Sequence, residues 1–302
     1  MKPDHLVPAA VTLDVRYLTS ADGTAVYAEA VGNPSNPHVV FLHGFSLSTV
    51  AFDCIFYDQR YVAQFYLVRY DMRGHGRSGK PRDTEAYASK RLAQDFAAVA
   101  EAYELKRPIF AGWSLGGTVI ADITAHLPST TLSGAVFLSA LPYTTGMTQR
   151  VVSASVLEKV ATFHRNDDVG RFVETKMPFI ASCFARPDQV PYELRCLWAG
   201  ATLASTPVDL ELAFNRPQDP AGLLKVARDG TLPLLVLHGD LDVIVDCKSL
   251  VREVKAIPWR DVKVVILEGV GHAPFYESTE SVMKHIGRFA NRVQTQRYGA
   301  KL

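Results

Sequence analysis

Cysteine is scarce in this chain. Cys54, Cys183, Cys196 and Cys247 are the only four in 302 residues. That is too few for a disulfide framework, and their spacing fits no zinc motif. Reduced, mostly buried thiols are expected. Charge of either sign is not in excess: Lys and Arg total 32 against 31 Asp and Glu, a formal net charge of +1. This excludes the whole-chain basic excess that nucleic-acid binding draws on, and no acidic tail is present. Long apolar runs are also missing. None approaches the ~18 residues of a membrane span. The start, Met1-Lys2-Pro3-Asp4-His5, is polar and leads into no apolar signal core. A soluble intracellular protein without a membrane span is expected. Walker loops, a Gly-x-Gly-x-x-Gly turn after a strand and a His-Glu-x-x-His pair are all lacking. No cofactor and no metal are therefore expected.

What is there is an ordinary globular balance, 48% hydrophobic and 21% charged. It argues against disorder, collagen and coiled coil. The length fits two domains, or one large α/β domain carrying an insertion. A chain of this size buries about three quarters of its unfolded surface and needs no covalent staples.

Short apolar runs alternate with helical stretches, the pattern of a mostly parallel α/β sheet flanked by helices. Strands are expected at 26–31, 38–42, 65–70, 108–113, 135–139, 234–237 and 262–267. Helices are expected at 88–103, 118–127 and 279–293. In the first of these, Leu92, Phe96, Val99 and Tyr103 fall on one face at spacings of three and four. Between Pro142 and Pro233 no strand pattern occurs. That stretch reads as short helices at 150–161, 169–176, 192–203 and 221–227, the last capped by Asp219 with Pro220 at its first position. The natural account is a core of 1–141 and 233–302 with a helical lid insertion, 142–232.

Gly112-Trp113-Ser114-Leu115-Gly116 has the Gly-x-Ser-x-Gly form, entered by an apolar strand and left by a helix. A nucleophilic serine needs that setting. On a sharp strand-to-helix turn its hydroxyl projects toward substrate, and neighbouring chain passes so close that flanking glycines must omit their Cβ atoms. The helix N-terminus also favours a developing anion. Gly117 lets the helix pack tightly on the sheet.

Partners for the serine follow in the order Asp then His. Gly271-His272-Ala273-Pro274 follows the last strand, and His272 is the candidate base, taking the Ser114 proton and returning it to the leaving group. Of nine histidines, His43 and His238 stand at strand ends beside glycine and read as packing or loop-anchoring residues. His75 lies in a turn, and the other five carry no motif. The loop after the 234–237 strand offers Asp240 and Asp242, with Asp246 beyond, as the acid that orients the imidazole.

Four motifs in order, His43-Gly44-Phe45, the Asp71-x-Arg73-Gly74-x-Gly76-x-Ser78 turn, the serine elbow and the Asp/His pair, make the chain resemble an α/β-hydrolase fold protein from about residue 26 to 293. It is similar to the lidded branch with carrier-protein methyl ester esterases, meta-cleavage-product hydrolases and cofactor-free haloperoxidase-type esterases. The resemblance implies Asp242 as the acid, since Gly-x-x-Asp-x-x-Val follows this strand in the family. Asp240 then reads as a turn residue bonding its own backbone. Ala140-Leu141-Pro142 contains no acid at the other position used by some relatives. The resemblance also implies an oxyanion hole made by the backbone N–H groups of Phe45 and Leu115, each worth about 10²–10³ in rate. The 71–78 turn is expected to support the site rather than act in it.

A two-step acyl transfer is expected, on a small to medium apolar ester or lactone. Serine at the elbow argues against dehalogenase and epoxide hydrolase relatives, which place Asp there. The alternatives are carbon–carbon cleavage of a β-diketone-like substrate, and a non-hydrolytic ligand-binding or tailoring role. The lid aromatics Phe163, Phe172, Phe179, Phe184, Trp198 and Phe214, with Trp113 and Phe275 near the triad, suggest an apolar pocket; Trp113, Phe275, Trp198 and Phe179 are its candidate wall residues. The expected partner is a small-molecule substrate, with no nucleic acid. The oligomeric state is left open, a homodimer being one option. The final Ala300-Lys301-Leu302, with Arg297 upstream, is a close variant of the Ser-Lys-Leu peroxisomal address, so a peroxisomal location is an alternative to the cytoplasm.

Overall fold

The computed structural model describes residues 11–165 and 167–299, with side chains through Val293. The C-terminal tripeptide with its candidate peroxisomal address lies outside the described residues.

Eight strands form one sheet: β1 (Asp14–Thr19), β2 (Ala25–Val31), β3 (His38–Leu42), β4 (Tyr66–Tyr70), β5 (Ile109–Trp113), β6 (Gly134–Leu138), β7 (Leu234–Gly239) and β8 (Val262–Leu267). Their spatial order is β1-β2-β4-β3-β5-β6-β7-β8. The pairs β1–β2 and β2–β4 are antiparallel and all others parallel. β3 to β7 bury almost every residue, as strands covered on both faces must, which explains their unbroken apolar runs. β1 was not expected. It is an edge strand exposed along nearly its whole length, so it carries no apolar periodicity to read.

Two long helices bracket the first half. α1 (Ser89–Ala102) buries Leu92, Phe96 and Val99. The buried Tyr103 that follows donates its hydroxyl to Ala28 O at 2.9 Å. α2 (Val119–His126) leaves the serine turn. Between β6 and β7 come α3 (Ala154–Phe163), α4 (Val169–Glu174), α5 (Lys176–Ser182), α6 (Tyr192–Thr202), α7 (Pro207–Phe214) and α8 (Ala221–Asp229). α9 (Cys247–Ala256) follows β7, and α10 (Thr279–Gly299) closes the chain.

This stretch departs from the sequence reading in several places. The helix expected at 150–161 is broken, because Val152 forms an antiparallel bridge with Val245. α5 and α7 were not anticipated, although α7 carries a legible start signal: a capping box of Thr206 and Asp209 around Pro207. Asp219 accepts the N–H of Ala221 at 2.9 Å, but the helix boundary falls one residue later, at Pro220. The four thiols are free, yet only Cys183 is buried; Cys54, Cys196 and Cys247 are partly exposed.

The chain leaves β3 toward β4 on one side and returns to β5 on the other. At that reversal the loops after β3 and β5 part and open a crevice at the carboxyl ends of the strands. Val156, Phe163, Phe179 and Trp198 of the β6–β7 segment belong to the same buried cluster as the sheet. No helix among the described residues is long and apolar enough to cross a membrane.

Candidate active site

β5 delivers Ser114 to the crevice on a tight turn. Ser114 has φ +51°, a left-handed conformation that a serine holds only at a cost of about 1–3 kcal/mol. A short helical turn, Ser114–Thr118, then feeds α2. The flanking glycines are sterically required. A Cβ on Gly112 would lie 2.4 Å from the Gly117 Cα, and one on Gly116 would lie 2.4 Å from the His43 carbonyl oxygen.

The loop after β7 carries the acids to three different fates. Asp242 is buried, and its Oδ2 lies 2.8 Å from His272 Nδ1. Its Oδ1 accepts the N–H groups of Ile244 at 2.9 Å and Val245 at 3.0 Å. Burial pushes the Asp242 carboxyl up, but His272, His238 and these amides outweigh it and hold it below the usual carboxylate value. His238 Nε2 donates to Val245 O at 3.0 Å and stands 3.3 Å from the same carboxylate oxygen. Asp240 corrects the expectation of a bond to its own backbone, since it accepts the N–H of Gly269 across the next loop at 2.7 Å. Asp246 caps α9, accepting from Ser249 N at 2.8 Å.

His272 is buried, and its carbonyl accepts the indole N–H of Trp113 at 2.7 Å. Its imidazole, Ser114, Phe45 and Leu115 border one cavity. Below it, Met72 N–H donates to His43 Nε2 at 3.0 Å, which leaves the proton on Nδ1 to bond Gly44 O at 2.8 Å. Burial pushes the His43 imidazole down to about 4, so it stays neutral. In the same peptide plane the Phe45 N–H points away from that anchored carbonyl.

The 71–78 turn is scaffold. Asp71 accepts the N–H groups of Thr49 at 2.7 Å and Arg77 at 2.8 Å. Arg73 is fully buried against Asp95 at 2.7 Å and Asp22 at 2.8 Å.

The cavity has about 40 Å³ of free interior. Its walls are Phe45, Trp113, Leu141, Val156, Val160, Phe179, Phe214, Ile244 and Val245, with Thr144, Thr148 and Cys183 beside Ser114 and His272. No Asp, Glu, Lys or Arg lines it. Of the four pocket aromatics picked from sequence, Trp113 and Phe179 line it. Trp198 and Phe275 do not. Both are completely buried behind Trp113, with ring centroids 5.6 and 4.9 Å from the indole. Phe214, one of the lid aromatics, lines it although it was not among the four, and the valines were missed as wall residues. The available signal was weak: Val152, Val156 and Val160 recur every fourth residue, which marks a shared face but not what it faces. Among the described residues no cluster of His, Cys, Asp and Glu is arranged to hold a metal ion.

Comparison with known proteins agrees with the fold. The chain is 24% identical over 288 residues to lipase 1 of Psychrobacter immobilis, covering 94% of this chain and 86% of the lipase. It is 29% identical over 260 residues to the pimeloyl-[acyl-carrier protein] methyl ester esterase of Yersinia pestis, covering 83% and 92%. The crystal structure of an esterase from Rhodococcus sp. ECU1013 superposes with a TM-score of 0.82 at 26% identity, covering 92% of this chain and 99% of that one. Residues 39–284 match the Alpha/beta hydrolase family, a span reaching from β3 into α10, and the chain belongs to that family.

Proposed function

We propose that this protein is a serine hydrolase of carboxylic esters, acting on small to medium apolar esters or lactones. One observation carries the reading: a serine held at φ +51° and a histidine bonded through Nδ1 to a buried aspartate at 2.8 Å border the same uncharged cavity. The esterase and lipase names of the relatives support the same chemistry.

In this reading Ser114 Oγ attacks the substrate carbonyl while His272 Nε2 accepts its proton. Asp242 keeps Nδ1 protonated and stabilises the imidazolium that forms. The N–H groups of Phe45 and Leu115 receive the tetrahedral oxyanion. The His43 bond to Gly44 O keeps the first of them aimed. His272 then passes the proton to the leaving alcohol, and water, activated in the same way, releases the acid. The walls favour a neutral acyl group, because an ionised one would lose its hydration with no countercharge to meet it. Segment 142–232, which contributes Val156, Phe179 and Phe214 to those walls, acts as the lid.

A fluorophosphonate probe with peptide mapping tests the nucleophile. Labelling at Ser114 is expected, and an unlabelled Ser114 in folded protein overturns the reading. A panel of p-nitrophenyl esters, lactones and β-diketones then decides the reaction. Turnover of diketones alone would replace ester hydrolysis by carbon–carbon cleavage.

A further inference from the structure

Three backbone groups of the His272 loop are tied to distant or later parts of the chain. Gly271 N–H donates to Glu277 Oε2 at 2.8 Å. His272 O accepts from Trp113 Nε1 at 2.7 Å. Ala273 N–H donates to Cys183 O at 2.9 Å. Glu277 does more than close its own turn. Its second oxygen, Oε1, accepts the N–H of Ala185 at 2.7 Å, from the stretch that follows α5. One carboxylate therefore joins the histidine loop to the β6–β7 segment. The contact is close-packed as well as bonded: a Cβ on Gly271 would lie 2.5 Å from Ala185 N and 2.9 Å from Glu277 Oε2.

We propose that Glu277 is a positioning residue for His272, bridging the amides of Gly271 and Ala185 so that segment 183–185 is a fixed wall of the active site. The proposal rests on the reading of His272 as the general base. Its physical basis is local. Each oxygen of Glu277 satisfies an amide that would otherwise be orphaned in a half-buried crevice, and charge-assisted bonds to N–H groups are the strong kind. Gly271 directly precedes His272, so the imbalance from losing the Glu277 bond falls beside the imidazole. A base displaced by about 1 Å costs up to about a hundredfold in rate. Segment 183–185 cannot swing away with the rest of 142–232 without dragging the base, so opening must occur elsewhere in that stretch.

Burial pushes the Glu277 carboxyl up, partly offset by its bonds to the Ala185 and Gly271 amides. The other titratable groups facing this imidazole are Asp242 and, beside it, His238 from the loop and end of β7, the Cys183 thiol from the β6–β7 segment, and Ser114 from the elbow.

The test compares Glu277→Gln and Glu277→Ala in the full chain, with p-nitrophenyl acetate as probe. Expected for Glu277→Ala is a loss of about ten- to a hundredfold in kcat with KM within about twofold. Glu277→Gln, which keeps one acceptor oxygen, should lose less. In both, the loss should persist when kcat is expressed per active site counted by fluorophosphonate titration. A purely structural role would lower the amount of folded enzyme, counted by fluorophosphonate titration, and leave kcat per titrated site unchanged. That result overturns the proposal, as does an unchanged kcat. If Glu277→Ala does not fold, the isosteric Gln variant decides alone through the same two readouts. Failure of the base assignment looks different: His272→Ala would then keep ester turnover, whatever the Glu277 variants do.

Discussion

Trp113 and His272, 159 residues apart in the chain, are joined by a hydrogen bond of 2.7 Å from the indole N–H to the histidine carbonyl. Trp113 directly precedes Ser114, so one bond ties the Ser114 turn to the His272 loop. Trp113→Phe keeps a ring against Phe275 but removes the donor. A neutral hydrogen bond of this kind is worth about 1 kcal/mol, and leaving a buried carbonyl unmet adds to the loss. The rate of fluorophosphonate labelling at Ser114 should fall about tenfold, with thermal stability lowered by a few degrees. A labelling rate equal to wild type would show that the loop holds its place without the bond.

Substitutions at the acids should separate by role. Ser114→Ala is expected to cost about 10⁴–10⁶ in kcat, and Asp242→Asn about 10⁴, by turning the imidazole to the wrong tautomer. Asp240→Asn should stay within about threefold, since an amide oxygen can still accept from Gly269 N–H at the site where Asp240 does so at 2.7 Å. Steady-state ester kinetics on the three variants check the order. A larger loss at Asp240 than at Asp242 would reassign the acid.

Gly44 tests the crowding around Ser114. A Cβ there would sit 3.0 Å from the Ser114 Cβ and 3.4 Å from the Trp113 ring. Gly44→Ala should therefore fold, with small shifts, but lose activity by more than about tenfold as the serine is pushed off line. Gly116→Ala should fare worse. Its Cβ meets backbone carbonyl oxygens of His43 and Leu42 at 2.4 and 2.5 Å, which cannot give way, and soluble expression should fall sharply. Circular dichroism with ester kinetics distinguishes the two outcomes.

Two aromatics expected to share a pocket should respond differently. Phe179→Ala enlarges the cavity and should move the preferred acyl chain of p-nitrophenyl esters to greater length. Trp198→Ala opens a hole in the core behind Trp113. It should cost about 3–5 kcal/mol of stability, read as urea midpoint, with chain-length preference unchanged. A shift in preference at Trp198 and none at Phe179 would place the pocket on the other side of the indole.

Lys176 is buried and, among the described residues, has no carboxylate partner. Its Nζ donates to Thr202 O at 3.3 Å and lies 4.0 and 3.8 Å from the ring centroids of Phe163 and Phe172. Burial pushes it down to about 7. The unfolded chain, with an ordinary lysine near ~10.4, binds this proton more tightly, so between those values stability rises with pH. Below about 7 the penalty of burying the charge is full. Lys176→Met, of similar volume, should raise Tm at pH 7 by at least ~2 °C and flatten the rise in Tm between pH 7 and 10. A variant that is less stable at pH 7 would mean that the aromatic contacts hold the ammonium favourably.

Much of the fold was legible because its causes are local. β2 to β8 fall within a residue or two of their apolar runs. β3 to β7 are apolar throughout because they are buried on both faces, and the edge strand β8, though largely open to water, is legible from its Val and Ile content. β1 left no such trace, because an edge strand open to water can carry Asp14, Arg16 and Thr19 without penalty. The break at Val152 was hidden for the opposite reason. Its cause is a bridge to Val245, 93 positions further along the chain, which no window around Val152 contains.

The sequence by itself determined the glycines of the elbow, the order of the strands along the chain and the neutrality of the whole, because each follows from sterics or composition within a few residues. Only the tertiary structure decided which acid meets the imidazole. Asp240, Asp242 and Asp246 stand within one short loop and are chemically alike; one reaches across to Gly269, one caps a helix, and Asp242 alone is buried against His272. It also decided that Trp198 and Phe275 back the cavity while Phe214 and Val160 face it. An apolar side chain leaves water with the same gain whether it enters a core or a pocket wall, so the sequence pattern is identical for both. The difference lies in what stands opposite, and that is set by contacts between distant parts of the chain.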